Sequence, residues 1–278
     1  MKDRAFFFSS SDKPPYNSDT KSRKRKVLLG TVTYNMLKDW SLEEILQKLP
    51  ELGFEAVELR TTHAHGVEPS IGPEERQRVR KLFENSKLEL VGYGSVCEFH
   101  SPDPTERARQ VEIAKTFVDL ACDTGAVGVK VRPNALPEGI PQETTIANIA
   151  ASLRELGYYA AGRGVEIWLE VHGRDTQHPP VIADIMKLAD HPAVGVCWNS
   201  NPTDVVDGSV RSYFQLLRPW LKSVHINELI SDYPWRELFT LLRESGYDRW
   251  TLMEVQENPQ AERFMKYYRA LWTELSRP

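Results

Sequence analysis

The chain has 278 residues, 41% of them hydrophobic and 27% charged, which is ordinary globular composition and excludes disorder as the overall state. Its formal charge of −4 excludes a global attraction to nucleic acid or to an acidic membrane surface. No run approaches the roughly 18 apolar residues of a membrane span, AFFFSS near the start is too short for a signal-peptide core, and three widely spaced cysteines (Cys97, Cys122, Cys197) without CxxC spacing suit a reduced, cytosolic protein.

Residues 1–26 differ from the mean. They hold eight Lys/Arg against three Asp/Glu, a net of +5 that leaves −9 for the remainder. The run KSRKRK, Lys21 to Lys26, has the form of an address or a nucleic-acid contact. A flexible, solvated basic tail is the plainer reading, because Pro, Ser, Asp and Lys dominate around it. One domain is expected over residues 27–278.

After the tail, Val27 to Thr33 reads as a first strand, and Ser41 with Glu44 has capping-box spacing for a helix ending at Gly53. Ala56 to Leu59 is a second strand; a loop with Arg60, His63 and His65 follows, and a helix opens near Pro73. Leu88 to Gly94 is a third strand, followed by SVCEFHS, and Pro104 opens a helix to about Thr124. Val127 to Arg132 makes a fourth strand ending in RPN, and a helix from about Gln142 to Arg163 leads to a fifth, Val165 to Leu169, that runs into Glu170 and His172. Pro179 or Pro180 begins the next helix, and Val194 to Trp198 is a sixth strand ending at NSNPTD. Ser209 to Trp220 has helical spacing, Ser223 to Ile226 is a seventh strand, and Trp235 to Ser245 is a helix closed by Gly246. Trp250 to Val255 is the eighth strand, and a last helix runs from about Pro259 to Leu275 with Phe264, Tyr267, Tyr268 and Leu271 on one side.

Eight strand-then-helix units with no composition break predict an α/β fold closed as a (β/α)8 TIM barrel. An open doubly wound sheet is the competitor, but the first turn, TVTYNML, lacks a G-x-G-x-x-G. In such a barrel all strand C-termini share one face. The groups expected to converge there are Tyr34, Glu58, Glu98, His100, Lys130, Arg132, Glu170, His172, Asn199, His225 and Glu254. Carboxylates and imidazoles from strands five, seven and eight can hold a divalent cation such as Mn²⁺, Co²⁺, Mg²⁺ or Zn²⁺. Taken singly, Glu170 or Glu254 could instead pair with Lys130 or Arg132 in a structural network; their matched strand-end positions favour metal or acid/base duty. His225 beside two acids suits a ligand, whereas His172 could ligate or could orient Glu170 or a substrate hydroxyl. His63, His65 and His100 lie in loops, as surface residues or substrate contacts. His178 and His191 read as solvent-facing, and Trp198, Trp220, Trp235 and Trp250 as packing residues.

The succession LEVHG, VGVCWN, SVHINE and LMEV resembles the strand ends of the xylose isomerase-like sugar phosphate isomerase/epimerase superfamily, over about residues 27–275. The resemblance implies a sugar, sugar-phosphate or polyol-ketone isomerase or epimerase. It implies a metal held by Glu170, Asn199, His225 and Glu254, with Asn199 standing where that family usually has Asp and Pro202 where it has a following His. An amide there lowers the expected affinity for the ion or removes the ion altogether. Glu170 and Glu254 would exchange a carbon-bound proton through an enediolate, and Lys130, Arg132, His172 and His100 would meet substrate oxygens. A dehydratase or other lyase on a related keto-polyol and a metal-free binding or regulatory barrel are the alternatives. No nucleic-acid or membrane partner is expected, and a homodimer is compatible with the family.

Overall fold

The computed structural model describes residues 27–278; the basic run Lys21 to Lys26 and the rest of the expected tail lie outside the described residues. Eight strands, all parallel, close in sequence order, with β1 hydrogen-bonded to both β2 and β8. They are β1 (Leu28–Asn35), β2 (Ala56–Arg60), β3 (Glu89–Glu98), β4 (Gly128–Arg132), β5 (Glu166–Glu170), β6 (Val194–Trp198), β7 (Leu221–Ile226) and β8 (Trp250–Val255). Between and after them run α1 (Leu42–Leu52), α2 (Pro73–Glu84), α3 (Pro104–Thr124), α4 (Gln142–Ala161), α5 (Pro179–Ala189), α6 (Arg211–Leu217), α7 (Trp235–Ser245) and α8 (Ala261–Leu275). The expected (β/α)8 barrel is therefore the fold.

The helix ends follow from local chemistry. Ser41 and Glu44 form the reciprocal cap of α1, Ser41 Oγ accepting from the Glu44 amide at 3.2 Å and Glu44 Oε2 from the Ser41 amide at 3.0 Å. Gly53 and Gly246 end α1 and α7 at φ 81° and 76°, where a Cβ would be strained. The third and fifth strands depart from the sequence-based expectation, and the sixth connection is as irregular as its sequence pattern. The third strand continues through Ser95, Val96, Cys97 and Glu98, because an irregularity between Gly94 and Glu98 lets the chain stay paired to β4 beyond its apolar run. The fifth strand stops at Glu170, so His172 lies in the loop after it. The sixth connection divides into α6 and two 3-10 turns, Pro202–Asp204 and Arg218–Trp220. Among the described residues no helix is long and apolar enough to cross a membrane.

Apolar side chains separate into two buried groups, a large one between strands and helices and a small one of Val32, Ala56, Val91, Trp168, Cys197 and Leu252 inside the barrel. Trp168 occupies that interior because glycines oppose it. A Cβ at Gly128 would lie 2.4 Å from the indole, and one at Gly92 2.8 Å. Its Nε1 donates to Glu166 at 2.8 Å, and Glu166 also accepts from Lys222 at 2.7 Å and from Arg249 at 2.7 and 2.8 Å. Strand alternation then reads Glu166, Trp168, Glu170 from the bottom of β5 to its top: an ionic clasp, an apolar plug, and a site acid above.

Candidate active site

Above the Trp168 plug, inward positions of β2, β4, β5, β7 and β8 carry Glu58, Lys130, Glu170, His225 and Glu254. Glu58 and His225 are fully buried, Glu170 and Lys130 nearly so, and Glu254 is slightly open to the mouth. His225 is the centre of the group. Its Nε2 lies 3.2 Å from Glu58 Oε2, while Nδ1 faces Glu254 Oε2 at 3.2 Å and Glu170 Oε1 at 3.7 Å. A carboxylate only accepts, so Nε2 carries the proton shared with Glu58 and Nδ1 is directed at the two other acids. Gly94 makes room for this arrangement, since a Cβ there would stand 2.8 Å from Glu58 Oε1.

One ligand atom each from Glu170, His225 and Glu254 falls within 4.8 Å of the others. Donors around a single ion at roughly 2.1 Å are separated by roughly 3–4.2 Å, so a small contraction would seat one. Two further observations favour such an ion. His225 Nδ1 is buried with no hydrogen-bond partner, and a histidine tied through its other nitrogen to a carboxylate is the usual way a protein presents a ligating imidazole. Asn199, directly after β6, has an Oδ1 that is buried and equally unpartnered. Glu170, His225 and Glu254 therefore fit a divalent cation with two carboxylates and an imidazole as donors, and Asn199 Oδ1 is an unpartnered neutral oxygen at the end of the adjoining strand.

Charge in the nest is unevenly shared. Burial opposes ionisation of Glu170, but the Lys130 ammonium, 2.7 Å from its Oε2, and His225 hold it well below the usual carboxylate range. Burial likewise opposes a charge on Lys130, yet Glu170, Glu254 and Glu58 together keep its pKa raised. For His225 burial is again outweighed, by Cys197, Glu254 and Glu58, and its pKa stands well above that of an ordinary histidine. Without an ion, a proton on Nδ1 balances the acids.

A second polar group lines the rim at the ends of β3 and β4. Glu98 accepts from Arg132 Nη2 at 2.6 Å and from Asn134 Nδ2 at 2.7 Å, and His100 Nδ1 stands 3.9 Å from it. His172 sits between rim and nest: burial lowers its pKa, and it feels the charges of Glu170, Lys130, Arg132 and Glu254. Its Nδ1, His100 Nδ1 and Arg132 Nε are buried without partners. Tyr34 lies under the Arg60 guanidinium, 5.1 Å from ring centroid to Cζ.

Other histidines are structural. His65 is buried and pins its loop, Nε2 against the Arg60 carbonyl at 2.8 Å and Nδ1 accepting from the Val67 amide. His63 bonds Thr33 Oγ1 at 3.0 Å, and burial lowers its pKa to about 4. The loop after β6 is locked more firmly than its sequence suggests. Ser200 adopts φ 51° and donates to the His225 carbonyl at 2.8 Å, and Asn227 Nδ2 donates to the Asn199 carbonyl at 2.9 Å. Pro202 opens a 3-10 turn that ends on Asp204, whose pKa burial raises to about 7 and whose Oδ2 accepts from the Asn201 amide and Tyr233 hydroxyl.

Sequence reasoning placed Glu58 among the convergent groups but missed its role behind His225. The available signal was parity: Glu58 is a lone acid in an apolar run, on the same inward side as Ala56 and Arg60.

The xylose isomerase-like TIM barrel family model matches residues 46–271. No curated protein matches the sequence significantly. Among solved structures, D-psicose 3-epimerase from Clostridium cellulolyticum H10 superposes with a TM-score of 0.76 at 14% identity, covering 91% of this chain and 100% of that one. The 3-keto-D-glucoside 4-epimerase of E. coli gives 0.72 at 16%, covering 89% and 100%. A zinc-bound IolI protein gives 0.72 at 15%, covering 90% and 98%. At these identities the likeness is one of fold.

Proposed function

Because the chain belongs to the xylose isomerase-like TIM barrel family, we propose that it is an enzyme, a sugar isomerase or epimerase that moves a proton beside a substrate carbonyl. The observation that carries this reading is the convergence of Glu170 and Glu254 on one nitrogen of His225, Nδ1, with Glu58 behind the imidazole at Nε2. Epimerase function in several structures of the same fold supports it.

Glu170, Asn199, His225 and Glu254 would hold a divalent cation. Once bound, it would supply a Lewis acid for the substrate carbonyl and an adjacent hydroxyl, easing removal of the intervening proton. Glu170, kept ionised beside Lys130, takes the carbon-bound proton; Glu254 returns one from the other side. Their unlike surroundings favour this division, since Glu170 has an ammonium at 2.7 Å and Glu254 is nearer the open mouth. Glu58 orients His225 and fixes which nitrogen faces the acids. His172, Arg132 and His100, each with a buried unpartnered nitrogen, receive substrate hydroxyls or a terminal anionic group. Trp168 closes the floor beneath these groups.

Incubating the full chain with Mn²⁺ and a panel of free and phosphorylated ketoses, with products resolved by chromatography, tests the reading. It expects a stereoisomer or aldose–ketose partner of at least one sugar. A product lighter by one water would move the assignment to a dehydratase. A second reading, a metal-free binding barrel, is favoured specifically by the neutral Asn199. Under it, ketoses bind without turnover and Mn²⁺ leaves the melting temperature unchanged.

A further inference from the structure

Lys130 is the group in the nest that a metal centre does not call for. It is 4% exposed, on an inward position of β4, and donates to Glu170 Oε2 at 2.7 Å. An ammonium has three donors and no lone pair, so it cannot ligate an ion; it can only satisfy the carboxylate an ion would need. The neighbouring strand shifts the balance the same way, since Asn199 offers a neutral oxygen where a carboxylate would add charge. Glu58, the remaining acid, is occupied with His225 Nε2. Glu170 is thus a shared resource: one buried carboxylate whose Oε2 holds a resident cation and whose Oε1 faces His225 Nδ1 at 3.7 Å, close to the end of β6 that carries the unpartnered Asn199 Oδ1.

We infer that Lys130 is an internal cation that competes with the divalent ion for Glu170 and thereby sets how tightly the site holds it. In the ion-free protein Lys130 neutralises Glu170 and keeps the nest closed. When the ion takes Glu170 through Oε1, the oxygen that faces His225, Lys130 stays beside Oε2 with its hold on the carboxylate weakened, and its ammonium becomes available to a substrate oxygen. Ion and substrate binding are then coupled, because each gains from what the other releases. The inference rests on the metal-centre reading given above.

The test is calorimetric titration of Mn²⁺ into the full-length protein, stripped of metal, for wild type, Lys130→Gln, Lys130→Met and Lys130→Arg. Lys130→Gln keeps a donor toward Glu170 without the charge and is the variant that protects the fold; Lys130→Met removes both. Relief of charge repulsion predicts Mn²⁺ binding tighter by roughly tenfold or more in Gln and Met, with Arg near wild type. Thermal unfolding gives the second readout. Lys130→Met without ion melts below wild type, because Glu170 is left buried and unpaired, and gains more from added Mn²⁺ than wild type does. Binding by Lys130→Gln alone, with none by wild type, also supports the competition. Equal or weaker binding by Gln and Met overturns it while leaving the metal centre intact. No Mn²⁺ binding by any of the four proteins overturns the metal centre and the competition together.

Discussion

Replacing Glu58 with Gln tests whether a buried acid on β2 positions the imidazole at the heart of the site. Glu58 and His225 are both fully buried, so no water takes over the lost bond. The Gln side chain then has two orientations. With its oxygen toward His225 Nε2 the tautomer survives, but the amide nitrogen falls at the Oε1 position over Gly94, where Glu58 has no partner, at a cost of about 1–3 kcal/mol. With its nitrogen toward Nε2, two donors face each other and the ring proton is driven to Nδ1, the atom needed by the ion. Removing the carboxylate behind a metal-ligating histidine typically costs about 10–100-fold in affinity, or about 1.4–2.7 kcal/mol. Calorimetric titration of Mn²⁺ at about pH 8 is therefore expected to show that loss. The metal-free variant should melt about 2–12 °C lower, at about 2–4 °C per kcal/mol for a domain of this size. A folded Glu58→Gln protein with wild-type Mn²⁺ affinity would refute the reasoning.

The raised pKa of His225 predicts that Mn²⁺ displaces a proton, so that affinity increases with pH and the binding heat depends on the ionisation enthalpy of the buffer; buffer-independent heats would count against it. By the same sign, His225 stabilises the metal-free fold fully below its unfolded pKa near 6.5 and loses that contribution as pH rises through the higher folded value. Glu166 behaves oppositely: burial would raise its pKa, but Arg249, Lys222 and Trp168 bring it to about 2, below the reference of 4.5. Its contribution, about 1–2 kcal/mol after discounting for partial exposure, is present above about pH 4.5 and fades toward about pH 2. The stability difference from Glu166→Gln should shrink over that window in denaturant titrations, and a constant difference would be inconsistent with the clasp. Gly128→Ala drives a methyl into Trp168, which is 1% exposed and cannot retreat; about 1–3 kcal/mol, or about 2–12 °C in melting temperature, should be lost and partly regained with Trp168→Phe. An unaltered melting curve would place the indole elsewhere.

The barrel was legible because each strand is a short apolar run ending in a polar or turn residue and followed by a helical stretch; Ser41 with Glu44 and the Gly246 cap needed only local chemistry. Glu170, His225 and Glu254 stood out for the same reason, as abrupt polar endings on β5, β7 and β8. What escaped depends on closure of the sheet. Glu58 is 167 residues from His225, and although strand parity in FEAVEL turns it inward, nothing there says which group it meets. Lys130 with Glu170 was one of several acid–base pairs the sequence allowed; that these two in particular meet across β4 and β5 is a matter of register. The fit of Trp168 against Gly92 and Gly128 is a property of three strands at once. The extension of β3 to Glu98 rests on an irregular register that apolar periodicity does not encode. His172, two residues past Glu170, continues the strand's alternation in sequence, but pairing ends before it and a loop carries it.

Solvent deuterium incorporation tests the proposed proton transfer most directly. Wild type, Glu170→Gln and Glu254→Gln, each with Mn²⁺ and a ketose in D₂O, are followed by NMR at the carbons beside the carbonyl. Exchange is expected in wild type, its loss in Glu170→Gln, and in Glu254→Gln exchange without inversion or no exchange. Exchange at the wild-type rate in both variants would show that these two carboxylates do not carry the proton.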